Sequence, residues 1–137
     1  MPITNERAQK GWETLNSISG ESGQAMVAGM KTIAPALADW AVEWGYGDVM
    51  SRPQLDLRTR QLATVAALTA MGNAAPQQRA HLNGALNVGC TPEEIVEVIQ
   101  QMAVFAGFPA AINGIAAARE VFEARNISWT PEAAPHE

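Results

Sequence analysis

The chain is predicted to be a single all-α domain, a bundle of six or seven helices. Three observations predict it. Apolar residues recur at helical spacing in segment after segment, and no segment shows the alternation of a half-buried strand. The corners between segments carry residues that stop one helix and start the next. The length of 137 residues suits one domain with its own core, placed at residues 1–125, followed by a tail at 126–137.

A first helix is expected from Asn5 to Ser19, with Ala8, Trp12, Leu15 and Ile18 on one side. Gly20 and Gly23 bracket a break, and a second helical stretch covers Gln24 to Thr32. Pro35 opens the next helix, whose Leu37, Trp40, Ala41 and Trp44 share a face; Gly45-Tyr46-Gly47-Asp48 is expected to end it and run into a loop reaching Pro53. Asp56 caps a helix from Leu57 to about Met71, with Leu62, Val65, Ala66 and Thr69 inward, and Gly72-Asn73 ends it. Pro76 starts a helix on which His81, Ala85 and Val88 form one stripe beside Leu82 and Leu86. Gly89 can take the left-handed conformation that closes it.

The strongest helix start follows. Thr91-Pro92-Glu93-Glu94 places Thr91 at the N-cap, Pro92 at N1 and Glu94 at the third helical position, the pattern of a capping box. Beyond it Ile95, Val98, Ile99, Met102, Ala103 and Ala106 recur on one face. Gly107-Phe108-Pro109 makes the last corner, and the final helix carries Ile112, Ile115, Ala116, Arg119 and Phe122. From Asn126 the sequence ISWTPEAAPHE has two prolines and no period, and is read as a tail or arm.

Composition narrows the function. A net charge of −5 with no Lys/Arg cluster argues against nucleic acid as a partner. One cysteine, Cys90, allows neither an internal disulfide nor a CxxC redox pair nor a cysteine-rich zinc site. No apolar run reaches the length of a membrane span and the N-terminus lacks the apolar core of a signal peptide, so the expected location is cytoplasmic. The GxSxG, GxGxxG and P-loop patterns are absent, which leaves no nucleotide device. Many apolar residues on short helices predict a homo-oligomer.

Candidate chemistry centres on His81. Histidine titrates nearest neutral pH, so it is the natural proton donor or acceptor, although a lone histidine on an apolar face is more often a hydrogen-bonded core residue. No second histidine lies at helical spacing, and Asn83 and Asn87 are poor zinc ligands, so no metal site is expected. His136 falls in the tail. The aromatic group Trp40, Trp44 and Tyr46 adjoins Asp48 and Arg52, and an arginine beside aromatic walls can clamp a planar carboxylate. Arg58, Arg60 and Arg79 are further cations near helix starts, with solvated surface positions as the plain alternative.

The pieces SRPxLDxRTR (Ser51 to Arg60), HLxGALNxG (His81 to Gly89), TPEEIxE (Thr91 to Glu97) and AVFAGFPAA (Ala103 to Ala111), in that order, resemble the carboxymuconolactone decarboxylase family from about Leu37 to Phe122. The redox branch of that family, which resembles alkyl hydroperoxide reductase accessory proteins, uses a CxxCxxxH motif. Here the matching stretch GNAAPQQRAH has no cysteine, and Gln61 stands where that branch has a glutamate. Thiol chemistry is therefore excluded, and His81 is the functional position that survives.

The resemblance implies a ring-like oligomer, a trimer or hexamer, and a cofactor-free decarboxylation of a carboxylated muconolactone. On that basis His81 is expected to be the general acid, with Asp48 orienting it or acting as a second acid. Arg52, Arg60, Trp40, Trp44, Tyr46 and Asn87 are the expected substrate contacts. Decarboxylases of this branch commonly have tryptophan where this chain has Tyr46 and Met50, and asparagine where it has Val88. These changes keep open a lactone hydrolase, isomerase or cyclase, and beyond them a non-catalytic oligomeric binding protein.

Overall fold

The computed structural model describes residues 5–131; His136 and the end of the expected tail lie outside the described residues. Six α-helices follow in order: α1 Glu6–Lys31, α2 Pro35–Trp40, α3 Leu57–Met71, α4 Ala75–Asn87, α5 Pro92–Ala106 and α6 Phe108–Ala124. A π-helical stretch, Ala41–Met50, continues α2 without a break. Among the described residues there is no strand.

The N-terminal half differs from the sequence expectation in two places. The first two expected helices are one, kinked at Gly20, whose φ of +54° and ψ of −132° only glycine adopts without strain. Two carbonyls just before the kink accept bonds from side chains: Ser22 Oγ donates to Ser19 O at 2.8 Å, and Asn87 Nδ2 of α4 donates to Ile18 O at 2.8 Å. A broken ladder with such partners bends a helix and does not end it.

The second difference concerns Trp44 to Asp48, which is not loop. The backbone widens into a π-helix and stays helical to Met50. Glycines let this stretch lie against α1: a Cβ on Gly11 would sit 1.9 Å from Val42 O, and one on Gly47 would sit 2.5 Å from Arg7 O. The loop that follows is tied to α3, because Arg60 donates to Leu55 O at 3.2 Å and to Arg52 O at 3.0 Å.

The C-terminal half follows local chemistry. Asp56 accepts from Thr59 N at 2.7 Å to cap α3, and Gly72 closes it in the left-handed conformation. Thr91 and Glu94 form the reciprocal capping box at the start of α5. Val65, Leu82, Ala85, Ile95, Ile99, Ala117, Val121 and Phe122 meet in the main core, so all four helices bury a face against one another. On α6 the inward face is Ala111, Gly114, Ala117, Ala118, Val121 and Phe122, while Ile112 is 62% exposed. The segment read as an arm begins by folding back: Ile127 N donates to Phe122 O, and the Trp129 ring tilts against Phe122 with centroids 6.5 Å apart.

A smaller core of Leu15, Val27, Ala38 and Val42 joins α1 to α2 and the π-helix. Leu37 and Trp40 of α2 and Trp44 of the π-helix, expected to share a face, are exposed, and both tryptophans are 63% exposed in the subunit.

Candidate active site

His81 lies on α4 opposite Gln61 on α3, and the two side chains meet at 3.1 Å between ring Nδ1 and amide Oε1. Helix α3 places Gln61 there by simple spacing: Gln61, Val65 and Thr69, four residues apart, are its buried residues. Gln61 is fully buried, whereas His81 keeps part of its surface in the open. The absence of a side chain at Gly84 makes room for the pair. A Cβ there would lie 2.7 Å from Ile18 Cγ2 and 3.2 Å from Gln61 Oε1. The kinked part of α1 therefore presses against α4 one turn from the histidine.

Burial alone lowers the His81 pKa from the ordinary histidine value, since taking the imidazolium out of water disfavours the charged form. The sign for stability follows. The group is neutral in both folded and unfolded chains at high pH and contributes nothing there. As pH falls through the ordinary histidine range the unfolded chain binds the proton more readily, so the fold weakens on the acid side.

The other expected site residues divide into committed and uncommitted groups. Asp48 is not the partner of His81. Its carboxylate receives Arg7 Nη2 at 2.7 Å and Nε at 3.0 Å, and those hydrogen bonds hold its pKa below the usual carboxylate value. This contact gives Asp48 a part in docking the start of α1. Asn87 also bridges elements: it donates to Ile18 O and accepts from Arg125 Nη1 at 3.0 Å. Arg60 spends two donors on the loop carbonyls. Arg58 pairs with Glu94, and Arg79 with Glu120 at 2.5 Å.

Arg52 is exposed, and its guanidinium has no partner among the described residues. Tyr46 is half-buried, and burial raises its phenol pKa despite a hydrogen bond with Ser19. Trp40 and Trp44 stand out from the surface. None of these side chains bonds to His81. A cavity of about 220 Å³ opens elsewhere, lined among others by Thr69, Gln78, Arg79, Asn113 and Glu120. Among the described residues no three His, Cys, Asp or Glu side chains gather as a metal site.

Two participants were not expected from the sequence as site groups. In the sequence Gln61 reads only as a replacement for an acid, yet continuing the inward stripe back from Val65 by one turn reaches it. Arg7 gives no such signal, because its partner Asp48 is 41 residues away.

Comparison with known proteins follows the same residues. The family model described as carboxymuconolactone decarboxylase matches residues 35–120. A 4-carboxymuconolactone decarboxylase of Acinetobacter baylyi is 30% identical over 128 residues, covering 93% of each chain. An uncharacterized 15.0 kDa protein of Paracoccus denitrificans is 32% identical over 121 residues, covering 88% of this chain and 90% of its own. A nitrosuccinic acid decarboxylase of Metarhizium robertsii is 36% identical over 73 residues, covering 53% of this chain and 50% of its own.

Proposed function

This chain belongs to the carboxymuconolactone decarboxylase family, and from that premise we propose that it is a cofactor-independent carboxy-lyase in which His81 delivers the proton that replaces CO2. The observation that carries the reading is His81 itself, a partly open imidazole braced by a buried amide, with no charged partner to immobilise its proton.

The substrate class follows from chemistry shared by the two named relatives. Both carboxymuconolactone and nitrosuccinic acid combine a carboxylate with an electron-withdrawing group, a conjugated lactone in one and a nitro group in the other. When the carbon–carboxylate bond breaks, its electron pair is left on carbon and spreads into that group, so the substrate carries its own electron sink. The protein has to hold the carboxylate, exclude water and protonate one carbon. In the balanced step the carboxylate leaves as CO2, the imidazolium gives its proton to the carbanion, and neutral His81 regains a proton from solvent. A small carboxylated lactone, or a similar small acid with a built-in sink, fits these demands. Arg52, with an uncommitted guanidinium, is the better candidate for gripping the carboxylate than Arg60.

The exposed face of Leu37, Trp40 and Trp44 and the corner of Val104, Phe105, Phe108 and Ile112 support a homo-oligomer that covers them. Tyr46, Met50 and Val88, in place of the side chains common in decarboxylases of this kind, favour a second reading with the same site, in which a related lactone is hydrolysed, isomerised or cyclised.

Incubation with 4-carboxymuconolactone while CO2 is measured separates the readings. The expected result is CO2 release that falls by on the order of a hundredfold or more in His81→Gln. A folded His81→Gln protein with an undiminished rate would remove the histidine from the chemistry. Consumption of a lactone without CO2 would favour the second reading, and inertness toward all such acids would favour a binding protein.

A further inference from the structure

We infer that Gln61 is the positioning residue of this site: its amide carbonyl accepts Nδ1–H of His81 and so keeps the lone pair, and the proton in flight, on Nε2. The assignment deepens the proposed function, because its catalytic consequence rests on His81 being the proton-transfer group. The tautomer itself does not rest on any turnover.

Three observations carry it. First, Gln61 is fully buried, and its Nε2 has no hydrogen-bond partner. A leucine or methionine would fill much the same volume without leaving two amide hydrogens unpaired. The contact the amide does recover is the one to His81 at 3.1 Å. Buried polar groups are expected to be satisfied, so a half-satisfied one calls for a use of the half that is made.

Second, the bond with the carbonyl toward the ring is compatible with both protonation states. Neutral His81 donates from Nδ1 and offers a lone pair at Nε2. The imidazolium still donates from Nδ1 and carries the added proton at Nε2. One nitrogen thus collects and delivers the proton while the other stays anchored. With the amide reversed, its N–H would face Nδ1 and oppose the imidazolium.

Third, no ion competes for the ring. Among the described residues the ring's hydrogen-bond partner is Gln61 and no ion pair includes it, while the nearby cations Arg58, Arg79 and Arg125 bond to Glu94, to Glu120, and to Asn83 and Asn87. An amide in this position differs from a carboxylate in a specific way. A carboxylate would pair with the imidazolium and hold it charged; the amide orients the ring and leaves it neutral until substrate arrives. The negative charge of the bound acid then supplies what Gln61 withholds.

The test begins with nitrogen NMR of the protein labelled at histidine. At a pH well above the His81 midpoint, Nδ1 should read as the protonated ring nitrogen and Nε2 as the bare one; the opposite pattern overturns the assignment. In Gln61→Leu the neutral ring should shift toward the Nε2–H form, with kcat reduced about tenfold or more and KM little changed. Gln61→Glu, which keeps the shape should the leucine variant not fold, should raise the His81 midpoint by about one unit or more. A purely structural amide would lower the melting temperature in these variants and leave tautomer, midpoint and pH profile where they were. If the tautomer is as expected but His81→Gln keeps full activity, the proton-transfer reading fails and the positioning of the ring by Gln61 stands.

Discussion

In the α3–α6 half of the subunit, side chains from four helices close over one another, with Leu82, Ile95 and Ile99 wholly out of water. In the α1–α2 half, α1 packs on α2 and the π-helix through Leu15, Val27, Ala38 and Val42, while Leu37, Trp40 and Trp44 face outward. The first half closes its core with its own residues and leaves Val104, Phe105, Phe108 and Ile112 exposed at one corner. The second is pulled in by glycine approaches and by polar ties, Arg7 to Asp48 and Asn87 to Ile18, and leaves Trp40 and Trp44 exposed. His81 and Gln61 belong to the first half, but Gly84 lets α1 of the second approach α4 one turn from His81. The histidine proposed to transfer the proton therefore sits near the seam where the second half begins.

The comparison is tested most severely in the core. Ile99→Ala removes a fully buried side chain from the closed half and should cost about 2–5 kcal/mol in denaturant unfolding. A loss much below that would mean this half is not the tightly packed one. At the seam the expected effect is intermediate. Asn87→Ala strands the extra hydrogen bond at Ile18 O and the Arg125 contact, and should lower stability by about 1–3 kcal/mol while increasing amide exchange around Gly20. If exchange near Gly20 stays unchanged, the kink is held by something other than Asn87. The smallest effect is expected on the open half: Trp40→Ser should leave the stability of the separate subunit within about 0.5 kcal/mol. Its consequence should be read by sedimentation, as a weakened assembly; an unaltered assembly would mean that face is not where subunits meet.

The sequence conveyed the elements of the closed half because their signals are local. The capping box at Thr91 and Glu94, the Asp56 cap and the left-handed Gly72 each depend on residues within one turn, and all are present in the structure. The open half was harder to read. Gly45 and Gly47 look like a helix end, yet both lie within a π-helix, where Gly47 allows a close approach that only the neighbouring α1 reveals. Trp40 and Trp44, on α2 and the π-helix, have helical spacing, but spacing specifies a shared face and says nothing about what covers it.

For the site, the chain alone singled out His81 as the candidate reacting group and excluded the thiol alternative, since cysteines at the matching positions are absent. It could not assign the partners. Gln61 and His81 are 20 residues apart, Arg7 and Asp48 are 41, and Asn87 and Ile18 are 69. Periodicity and capping are short-range rules that act along one helix, whereas hydrogen bonds between helices depend on how those helices cross. Helix packing gave the histidine an uncharged amide and handed the aspartate to an arginine on another helix, and it is this choice of partners that sets where each proton resides.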